Sequence, residues 1–290
     1  MAAAPCPLTV VMAVHNGAPF LREAMDSILG QTYQAFRFLV VDDASTDDTR
    51  RILRSYDDAR VERIELDRNV GQTAALNVGV RQAETPWIAR MDADDYAAPT
   101  RFEAQMRALA QDGSLGCLGT FAWTFRQDPQ VREGRLEKPV EDAAIKRQLL
   151  RGIPLIHGSI IISRAALLGV GGYDERYRSS ADLDLYHRLF PACRVANLPE
   201  PLLGVRRHAN QGSFTRVCAE ENIEIFSRLL TAKRLQRERA VLRQGLSYSY
   251  LTRAKCWDAE GRPAERLKDL ASAFRLSPPT MLKHVLLGDR

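Results

Sequence analysis

The chain has 290 residues, 45% of them hydrophobic and 27% charged, with 18 glycines and 14 prolines. That is enough apolar material for one sizeable core, and it excludes a long disordered or low-complexity architecture. The formal net charge is +5, and the five cysteines (Cys6, Cys117, Cys193, Cys218, Cys256) are too widely spaced for a zinc cluster or a disulfide framework, which fits a reducing compartment.

The first 95 residues alternate between strand and helix patterns. Apolar runs at 8–14, 36–41 and 87–91 read as strands, 61–66 reads as a further strand, and helical patterns appear at 19–30, 47–57 and 72–83. Asn16-Gly17 breaks the first strand, and Asp42-Asp43 stops the second. Such alternation predicts a mostly parallel α/β sheet with helices on both faces. Ligands then sit outside the carboxyl ends of the strands. Residues 100–112 and 182–190 read as helices, 115–125 and 155–163 as strands, and 169–172 as a glycine-rich turn.

From about residue 217 the pattern is helical only. A helical hairpin is expected over 248–279, broken at Gly261-Arg262-Pro263, with Trp257 as its packing anchor. Its ending resembles a tetratricopeptide unit, which cannot bury its own face alone and would pack on the main domain or on a partner. Residues 215–290 carry 15 Lys/Arg and 9 Asp/Glu, so the basic surplus lies there. That segment reads either as a solvated helix face or as a contact for an anionic surface. Nucleic acid is not expected as a partner, because nothing else points to it. No signal peptide and no run of about 18 apolar residues is present, so a cytoplasmic protein is expected, at most peripheral at the inner face of a membrane.

Three acidic groups fall at strand ends or helix starts. Asp42 and Asp43 precede Ser45-Thr46-Asp47-Asp48, which suits a helix cap. A carboxylate at the strand end, Asp43, can also accept from a base N–H or a ribose hydroxyl. Asp92, Asp94 and Asp95 follow the strand at 87–91. Like charges so close repel by ~1 kcal/mol at 4 Å in water and ~4 at an effective dielectric of 20. A hard cation, Mg²⁺ or Mn²⁺, removes that cost. Asp182 and Asp184 open a helix, where the dipole holds a carboxylate ionised, as a general base requires. His187 and the rings of Trp87 and Trp123 read as core; His157 stands between structural and functional roles.

Taken in order, these segments resemble a family 2 glycosyltransferase with the GT-A fold. The resemblance rests on Ala13-Val14-His15-Asn16-Gly17, Val41-Asp42-Asp43-Ala44-Ser45, Ala75-Leu76-Asn77-Val78-Gly79, Asp92-Ala93-Asp94-Asp95, His157-Gly158-Ser159, Gly171-Gly172-Tyr173-Asp174 and Asp182-Leu183-Asp184. It implies a GT-A domain over 1–214, with a nucleotide-binding half at 1–95 and an acceptor half at 96–214. Residues 215–290 would form a basic helical extension. It also implies that Ala13, His15, Asn16, Asp43, Asn77 and Asp92 contact the donor. Arg206, His208 and Ser213 would lie near the diphosphate, Asp94 with Asp92 and Asp95 would bind Mn²⁺ or Mg²⁺, and Asp182 would be the base of an inverting transfer. Two departures stand out: Ala181 replaces the usual acid before the base, and His15 replaces a commoner phenol.

The resemblance implies a nucleotide diphosphate-sugar donor, uridine-linked by default. The acceptor would be a glycan or lipid-linked glycan of bacterial surface polysaccharide or glycolipid synthesis. A metal-dependent nucleotidyltransferase and a non-catalytic nucleotide- or glycan-binding protein are the alternatives.

Overall fold

The computed structural model describes residues 7–208 and 215–287. In chain order the elements are β1 (Leu8–Val14), α1 (Leu21–Leu29), β2 (Phe36–Asp42), α2 (Thr49–Arg54), β3 (Val61–Glu65), α3 (Gln72–Gln82), β4 (Trp87–Asp92), β5 (Tyr96–Ala97), α4 (Arg101–Gln111), β6 (Leu115–Phe125), β7 (Gly134–Leu136) and α5 (Asp142–Leu149). A 3-10 turn (His157–Ser159) leads into β8 (Ile161–Ser163), α6 (Arg164–Gly169), α7 (Ala181–Leu189) and β9 (Arg194–Arg206). The C-terminal helices are α8 (Arg216–Thr231), α9 (Arg239–Ala259), α10 (Pro263–Leu276) and α11 (Pro278–Leu287).

Nine strands form one sheet, ordered β3-β2-β1-β4-β8-β6-β9-β5 with β7 on β6. The half built from β3, β2, β1 and β4 is wholly parallel. Its inner strands are mostly apolar because both faces are covered. Along β1 the side chains alternate between two cores: Val10, Met12 and Val14 pack with α1 and α2, while Val11 and Ala13 pack with α3 and the later helices. Beyond β4 the sheet turns mixed, with β8 antiparallel to β4 and to β6, and β6 parallel to β9.

The expected strand over 155–163 is shorter than its apolar run, because 157–159 coils into the 3-10 turn. Gly171 and Gly172 adopt φ of +82° and +72°, conformations open to glycine at little cost. The C-terminal hairpin forms from α9 and α10, turning at Gly261. Trp257 anchors it, donating its Nε1–H to Asp269 at 3.0 Å, and Arg253 chelates the same carboxylate through two bonds of 2.8 Å. The helices do not stand apart: Phe226 and Leu229 of α8 and Leu242 and Leu246 of α9 join the core cluster that holds Ile145, Leu149 and Leu183. Trp123 is buried and bonded to Pro129 O, and His187 is buried beside the Phe226 ring.

Candidate active site

A cleft of about 1760 Å³ opens along the carboxyl ends of β1, β2 and β4 and continues toward the C-terminal helices. Ala13, His15, Asn16, Asp43, Asp92, Asp94, Asp95, Asp182 and His208 all line it, although they come from segments up to 195 residues apart, from position 13 to position 208.

At one end, the loops after β1 and β2 are laced together. His15 Nδ1 lies 2.7 Å from Asp43 O; a carbonyl only accepts, so that nitrogen carries the proton. Asn16, at φ +51°, accepts from Thr46 N at 2.8 Å through its side-chain oxygen and donates its backbone N–H to Ser45 Oγ at 2.9 Å. Ala44 sits at φ +55°, a conformation costing a non-glycine residue about 1–2 kcal/mol. The turn separates the two aspartates. Asp42 is fully buried, bonded to Ser45 N and to Arg50 at 2.7 Å, and is structural. Asp43 faces the cleft and accepts from Val70 N and Gly71 N at 2.7 and 2.9 Å, which ties the loop before α3 to this wall.

At the centre, Asp92, Asp94 and Asp95 each place a carboxylate oxygen within 4.8 Å of the others. Asp95 is buried and accepts the Arg206 backbone N–H at 3.0 Å. Burial, with the Asp94 charge alongside, pushes its pKa up to about 7. His208 Nε2 lies 2.9 Å from Asp94 Oδ2, and Arg90 pairs with Asp92. A Cβ on Gly158 would lie 3.2 Å from oxygens of both Asp92 and Asp95, so the 3-10 turn leaves the cluster open where any other residue would crowd it. Three converging carboxylates, one of them raised in pKa by burial and by its acidic neighbour despite Arg90 and Arg101 nearby, fit a hard divalent cation.

Further along the cleft, Asp182 stands in the first turn of α7. Its carboxylate accepts from Leu183 N at 2.8 Å. Burial raises its pKa above the ordinary carboxylate range, with Arg90 and Lys138 opposing. Asp184, two residues on, is fully buried and held by Arg188 and Arg228, so the structure separates the two aspartates of this helix into a cleft group and a core ion pair. His157 lines the cleft with both ring nitrogens engaged, by Tyr186 OH at 2.7 Å and Tyr173 OH at 3.0 Å. Burial, with Arg90 nearby, drives its pKa well below the usual histidine range.

Two sequence-selected residues stand elsewhere. Asn77 is not on the cleft wall: its amide donates to Tyr173 O and Glu175 and accepts from Tyr173 N at 2.9 Å, clamping α3 to the Gly171-Gly172 turn. Arg206 has its guanidinium turned inward, stacked on Phe20 and Phe125 and bonded to Asp94 O, Arg126 O and Gln127 O. It braces the acidic cluster from behind, while Arg207 and His208 face the cleft. Ser213 lies outside the described residues. Arg90, buried among Asp92, Asp95, His157 and Asp182, was not singled out by sequence; its place one residue before the end of an apolar strand was the available signal.

A parallel half-sheet with acidic groups gathered at its carboxyl edge defines the GT-A class of glycosyltransferase fold. Solved structures of that class superpose on nearly the whole chain. S. aureus TarS in complex with UDP-GlcNAc matches with TM-score 0.71 at 17% identity, covering 94% of this chain and 82% of its own. The mannosyltransferase PcManGT from Pyrobaculum calidifontis, in complex with GDP-Man and Mn²⁺, matches with TM-score 0.62 at 19% identity, covering 99% and 91%. By sequence, EpsE of Bacillus subtilis, a protein named as a glycosyltransferase, is 33% identical over 209 residues, 70% of this chain and 74% of its own. Residues 9–170 match the family described as Glycosyl transferase family 2, and the chain belongs to that family. Against two longer rickettsial relatives it spans only 36% and 46% of their length. Among the described residues no helix is long and apolar enough to cross a membrane.

Proposed function

We propose that this family 2 glycosyltransferase moves a sugar from a nucleotide diphosphate donor to an acceptor hydroxyl with inversion at the anomeric carbon. The observation that carries the reading is that Asp43, the Asp92/Asp94/Asp95 cluster and Asp182 line one continuous cleft. The solved neighbours' complexes, with UDP-GlcNAc in one and with GDP-Man and Mn²⁺ in the other, support a nucleotide-sugar donor; a uridine-linked one is the first to test. Residues 1–95 would hold the nucleotide and 96–214 the reacting hydroxyl.

His15, Asn16 and Asp43 would receive the nucleoside end, with Ala13 beneath it. Asp92, Asp94 and Asp95 would hold Mn²⁺ or Mg²⁺, with His208 beside Asp94; the ion supplies positive charge for the diphosphate leaving group. Asp182 would take the proton of the acceptor hydroxyl, whose oxygen displaces the nucleoside diphosphate from the opposite face. Burial raises its pKa, the direction that makes a carboxylate a stronger proton acceptor. Asp95 and Arg206 keep the leaving-group end rigid, since one backbone N–H fixes the carboxylate.

The acceptor in this reading is a glycan or lipid-linked glycan. On the C-terminal segment, Leu267, Phe274 and Leu282 are exposed beside Lys268 and Arg275. Exposed apolar side chains seven residues apart on α10, with cations next to them in sequence, suit peripheral contact with an anionic membrane surface.

The test is product analysis with UDP- and GDP-sugars and Mn²⁺. Release of nucleoside diphosphate supports transfer or donor hydrolysis; formation of nucleoside triphosphate and sugar 1-phosphate when pyrophosphate is added identifies a nucleotidyltransferase; no turnover of any donor leaves a binding protein.

A further inference from the structure

The cleft is longer than a donor and a single hydroxyl require. Past Asp182 its walls come from the segment after β7, the end of α5, and helices α8 and α9. On α9, Gln244, Tyr248 and Thr252 all line the cleft, at spacings of four residues that put them on one helical face. Tyr248 is 46% exposed, an uncovered aromatic ring on the wall of a cavity. Such a ring has an apolar face for the C–H side of a pyranose, and amide and hydroxyl groups on either side suit its hydroxyls.

The charge of this end is also distinctive. Of the lining residues, Asp43 and the Asp92 cluster belong to the donor end. Past them Lys138, Arg151 and Arg178 face a single lining carboxylate, Asp182. None of the three cations forms an ion pair with another described residue: Lys138 Nζ donates to Ile153 O at 3.1 Å, and Arg151 Nε donates to Gln244 Oε1 at 2.9 Å. The second bond fixes Arg151 beside the same α9 face that carries Tyr248. Cations left without carboxylate partners in a cleft create a field that favours an anionic ligand.

We infer that α9, the loop after α5 and the segment between β7 and α5 form an acceptor subsite that takes a negatively charged glycan, one sugar ring against Tyr248 and its anionic group at Arg151 and Lys138. This assigns the C-terminal helices a part in choosing the acceptor. It rests on the transferase reading above, since the subsite is named by its position past Asp182.

The test uses the full chain with Mn²⁺ and UDP on an array of oligosaccharides in neutral, phosphate-bearing and uronate-bearing sets. The two charged sets separate the sources of the anion. Binding should be confined to charged members and fall at least tenfold in Tyr248→Ala. It should fall similarly in Arg151→Gln and return largely in Tyr248→Phe and Arg151→Lys, while the UDP-induced thermal shift of each variant shows that it is folded. Raising salt should weaken binding to wild type more than to Arg151→Gln. Preference for neutral glycans, equal binding by wild type and Tyr248→Ala, or no charged glycan bound by a protein that binds UDP overturns the inference. Wild-type protein that binds neither UDP nor GDP with Mn²⁺ overturns the donor reading instead.

Discussion

Replacing Asp95 by asparagine isolates the electrostatic cost of the acidic cluster. The Asp95 carboxyl is buried beside Asp94 and its pKa is pushed up to about 7, against about 3.9 for an unfolded chain. Between those values the folded protein holds a proton that the unfolded one has released, so stability falls as pH rises through this window. From pH 5 to pH 7 the difference is about two pKa units, a ceiling of roughly 3 kcal/mol at 1.36 kcal/mol per unit. Sharing of charge with Asp94 brings this nearer ~1–2 kcal/mol, or a few degrees in Tm for a chain of this size. His157, whose pKa is lowered, acts in the opposite sense and costs stability below about pH 6.5. The difference between wild type and Asp95→Asn therefore carries the signal. Asparagine keeps an oxygen for the Arg206 N–H. The assay is thermal denaturation from pH 5 to pH 8.5, with EDTA and with Mn²⁺. In EDTA, wild type should lose Tm relative to the variant as pH rises to about 7. With Mn²⁺ wild type should recover it, and the recovery should grow with pH because the ion competes with the Asp95 proton. An identical pH profile for both proteins, or an Mn²⁺ effect that Asp95→Asn retains in full, refutes the reasoning.

Asp182→Asn should reduce transfer by roughly 10²- to 10⁴-fold while leaving donor affinity within about twofold, measured by initial rates and by titration with UDP. Asp184→Ala should leave Arg188 and Arg228 facing a buried void and cost about 3 kcal/mol, a Tm loss on the order of 6–12 °C by calorimetry. Gly172→Ala places a Cβ 2.8 Å from Asn77 Oδ1 at φ +72°, and should lower the denaturation midpoint by the equivalent of about 1–2 kcal/mol. Leu267→Glu with Phe274→Glu should weaken flotation with anionic vesicles and leave the fold's circular dichroism unchanged; equal flotation removes the membrane contact.

The parallel half of the fold was readable because β1, β2 and β4 are largely buried and therefore appear as mostly apolar runs, interrupted only by Thr9, Arg37 and Arg90 and closed in β2 and β4 by an aspartate. The acidic cluster was readable because charge at the end of such a run has no packing explanation. What the sequence hid depends on long-range contact. The 13-residue strand β9 had no expected counterpart, and it contains Pro199 and Pro201, residues disfavoured inside a sheet. They are accommodated by register shifts against β6 around Phe121. Asn77 lies within a family-like segment, yet α3 turns its amide toward Tyr173. Arg206 ends strand β9, and two aromatic faces, Phe20 and Phe125, draw its guanidinium inward. The share of the cleft built by α8 and α9 could not be read from helical periodicity, which shows that a face is buried and not what it faces.

The most direct measurement is calorimetric titration of the purified protein with UDP and GDP, with Mn²⁺ and with EDTA, alongside Asp94→Ala. One nucleotide should bind with Mn²⁺ at a stoichiometry near one, and its affinity should drop at least tenfold in EDTA and in the variant. Absence of binding by both nucleotides, or equal affinity with and without the ion in wild type and Asp94→Ala, would contradict a cation-held diphosphate at the carboxyl edge of this sheet.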